Sequence, residues 1–467
     1  MVRQHGEIVK YYLPIILILP CLLLCGCAST YTSTNQFIVA DQKVGVYDYA
    51  GAITHLEAVK EQCYQAKDRV LYYLDLGMLY HLKGDYRKSN ELLTHAEEAI
   101  EELYTKSISR AAASLLLNDN VLDYCGEDYE DVYLNVIKAV NYLHVNDFDN
   151  AFVEVRRINN KLEVMDQKYN KLAEGYNTSS DAKIQFTPIK SQFINSALGR
   201  YLSMLMYRAE GKLDDAHIDF IKIGEAWASQ AQLYNFPMPR LGGHLASTSK
   251  AKVNILSFIG TAPRLFSRTL TIHTFKDAIA IYYSDGKQEK QLNLFPWPGM
   301  TDGYHFKFAL PYMEKQGTAV ASVGIEVNGS IMADLEVIES LENAAVDTYA
   351  SKEKMIYLKT IIRSVMKGVL NEKANKELDK STGGRLWGSL TRAVSSVMVD
   401  ASENADLRLS RYFPSKALVG ELELDPGIYS LRLLYYGGSR QLLQVVDFGQ
   451  QTISKEKPNF FQSTLLK

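Results

Sequence analysis

The chain has little cysteine to work with. Of 467 residues five are Cys, and three of them, Cys21, Cys25 and Cys27, crowd the N-terminus. That leaves Cys63 and Cys125 for the rest of the chain. An oxidising compartment would permit a disulfide between them, but two separate buried thiols are the expectation. No Cys or His cluster has zinc spacing, so no metal site is expected. Charge of one sign is also lacking: 51 Lys and Arg stand against 54 Asp and Glu, a formal net charge of −3, which gives no general case for nucleic acid. There is no phosphate loop, because "GTAPR" (Gly260 to Arg264) lacks the Gly-Lys-Ser/Thr ending. There is no Gly-x-Ser-x-Gly elbow either. Carboxylate pairs such as Asp214-Asp215 and Glu97-Glu98 fall on polar faces of amphipathic stretches and read as solvated. No catalytic residue, cofactor site or metal ligand is therefore expected.

A long hydrophobic run is missing too. Tyr11 to Leu24 is apolar for about 14 residues, short of the ~20 that a spanning helix needs. It follows the basic start "MVRQHGEIVK" and ends in Leu24-Cys25-Gly26-Cys27, the layout of a secretory signal. The ending resembles the bacterial lipobox: an aliphatic residue, two small residues, then cysteine. The resemblance implies diacylglycerol on the sulfur of Cys27, cleavage after Gly26 and acylation of the new amino terminus. Two or three acyl chains anchor a protein stably where one does not. Cys21 and Cys25 then lie in the removed segment. Ala28 is not the Asp that holds such proteins at the inner membrane, so the expected location is the outer membrane, facing the periplasm.

What remains is about 440 residues, enough for two or three domains. Residues 27–45 are polar without periodicity and read as a tether. From Val46 the pattern is helical and recurs. "YYLDLGMLYHLKGDYRKSNELLTHAEEAI" places Tyr73, Leu76, Gly77, Tyr80, Tyr86, Leu93 and Ala96 at regular positions, with "KGDY" as the turn. "NVIKAVNYLHVNDFDNAFVEVRRINN" repeats it with Ala139, Tyr142, Phe148, Ala151 and Val155 around "VNDF". "SALGRYLSMLMYRAEGKLDDAHIDFIKI" repeats it again with Tyr207, Gly211, Ala216 and Phe220. "VYDYAGAITHLEAV" reads as a lone second helix. These stretches resemble tetratricopeptide repeats, paired antiparallel helices of ~34 residues, here unevenly spaced by insertions. The resemblance implies a solenoid over 46–235, with the first helix of each pair lining a concave groove. Leu71, Leu74, Met78 and Leu82, then Tyr133, Val136, Val140 and Leu143, occupy those positions. The basic-and-asparagine clamp for peptide carboxylates is absent. So apolar a groove needs cover, from a partner segment or from the chain's own insertions and β-rich half. "YNTSSDAKIQFTPIKSQF" is long enough to fold back.

"NFPMPRLGGHL", Asn235 to Leu245, breaks the helical pattern. Beyond it, "AKVNILSFIG", "RTLTIHTF", "YHFKFALPYM" and "AVASVGIEVNGSIMADLEVI" alternate as strands, the last with a hairpin signal at Asn328-Gly329. "ALVGELELDPGIYSLRLLYYGG" reads as the clearest hairpin, turning at Asp425-Pro426-Gly427. Helices are expected near 344–378 and 387–398. The fold class is thus α+β and multidomain: signal 1–26, tether 27–45, helical solenoid 46–235, and a mixed β-rich domain 246–467.

Taken with the lipobox, "GEDYEDVYLNVIKAVNYLHVNDFDNAFVEVRRIN", "GTAPR", "FALP" and "ADLRLSRYFPSKALVGELELDPGIYSLRL" resemble a family of uncharacterised bacterial envelope lipoproteins, tetratricopeptide-like in the first half and β-rich in the second. That family usually has tryptophan where this chain has Leu409. Asp406 and Arg408, beside Pro414, read as a buried ion pair. The resemblance brings no established activity with it. The leading expectation is a non-enzymatic, lipid-anchored protein-interaction scaffold in the cell envelope, serving assembly, activation of a peptidoglycan enzyme or secretion. The partner would be another envelope protein. The alternative is a periplasmic enzyme acting on glycan or peptide, with its site in the β-rich half. The first prediction concerns the anchor. A fatty-acid analogue fed to cells labels the wild type and not Cys27→Ser; a Cys27→Ser protein that still labels and sediments with membranes would refute it.

Overall fold

The computed structural model describes residues 34–110, 119–178, 187–284, 289–382 and 405–467. Cys27 and the helix expected near 387–398 lie outside these residues. The class is α+β, with helices in the first half and strands in the second.

Eight helices form four consecutive antiparallel pairs: α1 (Ile38–Gly45) with α2 (Tyr49–Ala58), α3 (Arg69–Lys83) with α4 (Tyr86–Arg110), α5 (Asp128–His144) with α6 (Phe148–Asn177), and α7 (Ala197–Ala209) with α8 (Leu213–Ser229). Each pair stacks on the next, and α3, α5 and α7 are neighbours. The expected tether is therefore shorter. Phe37, Ala40 and Val44 are buried because α1 is the partner of what had read as a lone second helix.

The turns repeat one geometry. Tyr47, Gly84, Asn146 and Gly211 have φ of 65, 85, 57 and 75°. The amide after each bonds back five residues: Asp48 to Lys43, Asp85 to Tyr80, Asp147 to Tyr142 and Lys212 to Tyr207. A left-handed residue closes one helix by satisfying its last carbonyls. In three turns the following Asp then caps the next helix, Asp48 accepting from Gly51 N–H at 2.8 Å, Asp85 from Lys88 at 3.3 Å and Asp147 from Asn150 at 3.2 Å. A left-handed residue at four positions, with a capping side chain after three of them, fixes where the chain reverses.

The strands form three four-stranded sheets among the described residues. The first runs β12 (Asn459–Leu465), β1 (Ala251–Ile259), β9 (Lys416–Leu424), β8 (Glu336–Ser340), with β1 and β12 parallel. The second runs β11 (Leu442–Ile453), β10 (Gly427–Tyr436), β6 (Ser322–Val327), β7 (Ser330–Asp334). These two pack face to face. Val253 and Ile255 of β1 and Leu418, Leu422 and Leu424 of β9 meet Val323 and Ile325 of β6 and Leu431 and Leu433 of β10. The alternate residues of the first sheet, Leu256, Phe258, Ala417 and Val419, join the core of the helical half instead. Period-two alternation with both faces apolar is what a middle layer requires. That core also crosses the break expected at 235–246. The third sheet, β4 (Glu289–Pro296), β3 (Ala278–Ser284), β2 (Arg264–Phe275), β5 (His305–Glu314), packs its inner face on α9 (Leu341–Thr382).

The hairpin at Asn328-Gly329 forms, both residues taking positive φ of 50 and 82° as a two-residue turn of this twist demands. The one expected at Asp425-Pro426-Gly427 does not. Strand β9 pairs with β1 and β8, while β10 pairs with β6 and β11. The turn carries the chain from one sheet to the other, so the two strands face each other through side chains rather than backbone hydrogen bonds.

Helix approach within a pair is testable. A Cβ on Gly77 of α3 would lie 2.6 Å from Leu93 Cδ2 of α4, whereas one on Gly224 of α8 meets nothing nearer than 4.0 Å. Ala in place of a helical Gly gains ~1 kcal/mol from propensity, and overpacking costs ~1–3 kcal/mol. Gly224→Ala should raise the melting temperature and Gly77→Ala should lower it. Shifts of the same sign would mean α3 and α4 are not in this contact.

Candidate functional site

The groove positions come first. Leu71, Leu74, Met78, Tyr133, Val136, Val140 and Leu143 are buried and Leu82 is half-buried. Seven of the eight belong to one apolar core and Leu82 packs against it. The strand-rich half helps to close that core through Leu256, Phe258, Val419 and Ile338, with Tyr412 and Phe413 of the segment leading into β9. The long insertion adds Phe193, stacked on Tyr133 with ring centroids 5.8 Å apart; positions 179–186 of that insertion lie outside the described residues.

Polar contacts fix the register of that closure. Glu339 of β8 is fully buried and accepts from Tyr133 Oη at 2.7 Å, Ser196 Oγ at 2.9 Å, Tyr234 Oη at 2.9 Å and the Leu198 amide at 2.9 Å. Ser196 caps α7 and Leu198 lies in its first turn, so the carboxylate sits at a helix N-terminus, where charge is favoured. Burial still pushes Glu339 above the usual carboxylate range, against the pull of these donors. Within the helical half, His81 Nδ1 lies 2.6 Å from Asn141 Oδ1, and Asn141 Nδ2 donates to Ser89 and Asn90, each at 2.8 Å. Asn141 presents its oxygen to the imidazole, so Nδ1 carries the proton.

The segment 405–413 threads between helices and sheet. Arg408 pairs with Asp406 at 2.7 Å, the pair read from sequence, but also with Asp68 at 3.0 Å, and it donates to the carbonyls of Asp119 and Leu122. Ser410 and the Arg411 amide serve Asp75 of α3 at 2.9 and 2.8 Å. The Ser410 amide reaches Glu130 of α5 at 2.6 Å, beside Tyr124 Oη at 2.7 Å. Burial pushes Asp75 up to about 6 and Glu130 up to about 8. Arg411 pairs with Asp41 of α1. Sequence reasoning missed Asp68, Asp75, Glu130 and Glu339. For Asp75 the available signal was a lone acid inside the apolar run "LYYLDLGMLY"; Asp68, Glu130 and Glu339 stand near other charged residues, and nothing local marks them out.

Beside this segment lies a cavity of ≈ 310 Å³. Its walls are the end of α4 (Ile100, Leu103), the loop 119–128, α6 (Tyr169, Leu172), β2 and β5 (Leu265, Pro311) and α9 (Met355, Ile356). The size is within the range of ligand pockets, and so is the mix of apolar wall and few polar groups. Two of its carboxylates open α5. Glu127 is paired with Lys352 at 2.7 Å and Asp128 with Lys168 at 2.5 Å and with the Tyr169 hydroxyl. Burial pushes Glu127 up against the pull of Lys352. Burial opposes ionisation of Asp128 as well, but Lys168 and Tyr169 outweigh it and hold the group low. Cys125 lines this cavity as an exposed free thiol, and Cys63 is a buried one. The expectation of two buried thiols holds for Cys63 alone, because Cys125 falls in the loop before α5 rather than on a packed helix face.

No group of three or more His, Cys, Asp or Glu is placed to hold a metal among the described residues, and no helix among them is long and apolar enough to cross a membrane. Comparison with known protein families, with curated proteins and with solved structures gave no match.

The buried histidine generates a pH prediction. Burial pushes His81 down to about 4, while in the unfolded chain it titrates near its ordinary 6.5. The unfolded state therefore binds the extra proton between these values, and the His81 contribution is present above pH ~6.5 and lost toward 4. At ~1.4 kcal/mol per unit that is about 2 kcal/mol by pH 4.5. His81→Gln keeps a donor for Asn141 and removes the titration. Its stability should fall less than that of the wild type between pH 6.5 and 4.5 in denaturant melts; parallel curves would mean His81 is not buried in the neutral form.

Proposed function

We propose that the chain is a lipid-anchored protein of the bacterial cell envelope, attached through Cys27 to the outer membrane and facing the periplasm, and that it works by binding another envelope protein. It is read as a member of the envelope lipoproteins that it resembles in sequence. Its helical half is a tetratricopeptide-like scaffold. Four turns of one geometry and the small residues Gly77, Ala96 and Ala151 at helix contacts support that reading.

The observation that carries the binding role is the cavity beside α5. In tetratricopeptide proteins of the usual kind the concave face takes the partner, and here the residues at those positions belong to a core that the chain's own strands help to close. The cavity is an apolar concavity left open among the described residues, with a volume of ≈ 310 Å³. Of the carboxylates that line it, Glu127 and Asp128 are each held by a lysine and Asp406 by Arg408, an arrangement that suits a rigid wall better than proton transfer. A partner segment inserting one or two apolar side chains there, over a rim of paired charges, is the mode of recognition it fits.

A photo-crosslinking residue at Ile356 tests this in intact cells. It should give one envelope-protein adduct, and filling the cavity with Leu103→Trp should abolish that adduct while leaving the melting temperature within a few degrees. An adduct that persists in Leu103→Trp would remove the cavity from the interaction. Turnover of peptidoglycan or peptide by the purified protein, lost in Glu127→Gln, would replace the binding role with an enzymatic one.

A further inference from the structure

The first helix of the body is apolar on two sides. Ala40 and Val44 of α1 face the core with Phe37, and Asp41 ties the helix down through Arg411 and Tyr412. On the other side Ile38 is 47%, Val39 44% and, one residue past the helix, Val46 71% exposed. At 100° per residue these three fall in one sector about 100° wide. Scattered apolar residues on a surface mean little. With exposed Gln42 as the one polar side chain in it, a mostly apolar sector opposite a buried one, on a helix at the protein surface, suits an interfacial contact with lipid.

Two further observations say what covers it. The chain between Cys27 and Thr34 spans at most about 25 Å when fully extended, so a lipid on Cys27 holds α1 close to the bilayer. Next to Val46, the Tyr47 ring carries the Lys467 ammonium 5.0 Å from its centroid, with Tyr49 at 6.5 Å. The Tyr47 hydroxyl is itself buried, so at this edge the exposed Lys467 ammonium is the group that meets anionic head groups.

We propose that this surface, Ile38, Val39 and Val46 with Lys467 at its edge, rests on the lipid bilayer and orients the body on it. The proposal rests on the lipid-anchored reading. It places the sandwich end that carries Tyr47, Lys467 and Tyr436 toward the membrane, since Thr318 donates to the Lys467 carbonyl and Ala321 to that of Tyr436. The opposite end of β10, at Ile428, is then about 25 Å further away at ~3.4 Å per residue.

The test uses the full lipidated chain in vesicles of phosphatidylethanolamine and phosphatidylglycerol that contain spin-labelled lipid. A fluorophore is attached at Val46→Cys or at Ile428→Cys, each in a Cys125→Ser background; Ile428 is 67% exposed and so equally open to labelling. Quenching at position 46 should exceed that at 428 by about twofold or more, as expected when only one of them reaches the interface. Ile38→Asp with Val39→Asp should bring the two values together while the protein still floats with the vesicles. Equal quenching at 46 and 428 in the unmutated surface, with flotation intact, would overturn the docking surface and leave the anchor standing. A chain that neither floats with vesicles nor takes up a fatty-acid label would overturn the anchor, and the docking surface with it.

Discussion

Glu339 is the interaction on which the two halves of the molecule meet. It is a strand residue whose four hydrogen-bond donors come from the helical half. A carboxylate taken fully out of water is tolerable only when its lone pairs are met. The requirement therefore fixes β8 against the start of α7 to within a hydrogen-bond length. The apolar contact beside it, Leu256, Phe258 and Val419 against α3, α5 and α7, supplies attraction without register, because hydrophobic burial has no direction. Helical stack and sheet are thus held as one body by burial and kept in one arrangement by a carboxylate.

The same division of labour recurs along 405–413. Asp75 and Glu130 sit on helix faces that would otherwise be purely apolar, and each is met by the backbone or hydroxyl of Ser410 or its neighbour. Arg408 closes Asp68 and Asp406 and two loop carbonyls. Losing one member of such a buried set costs ~3–5 kcal/mol, since the remaining charge is stranded. This segment is not a linker that happens to pass by. It supplies the partners for acids that arrive from α3 and α5, and it seats Tyr412 and Phe413 in the shared core.

The core of the helical half is closed by the chain's own strands. The fold exposes apolar side chains on α8 (Leu213, Ile218, Ile221) and β7 (Ile331, Met332), and two further open apolar features are the cavity beside the start of α5 and the outer side of α1. The last two lie on different parts of the helical half, so a membrane contact on one leaves the other free for a protein. The reading of the molecule as an anchored scaffold takes its economy from that separation.

Much of the helical half is legible in the order of its residues. Glycine or asparagine followed by aspartate and an aromatic names a turn by local chemistry alone, since a left-handed residue and an N-cap act within a few residues of themselves. The period of the apolar pattern likewise places α3 to α8, β1 and β9. Helix α1 escapes because eight residues apolar on two sides show no period, and β3, β4, β11 and β12 do not stand out. What local pattern cannot carry is partnership. Leu422 and Leu424, then Leu431 and Leu433, alternate across Asp425-Pro426-Gly427 in the same way for a hairpin and for a chain crossing between two sheets. Alternation says which side chains share a face and is silent on which strand receives the backbone hydrogen bonds. Nor can it say that Leu74, Val136 and Phe258 share one core, or that Glu339 finds Tyr133 more than two hundred residues away. Turn chemistry and amphipathic period are local and were set by the sequence alone; the pairing of strands and the satisfaction of buried charges depend on residues distant in the chain, and only the tertiary structure decided them.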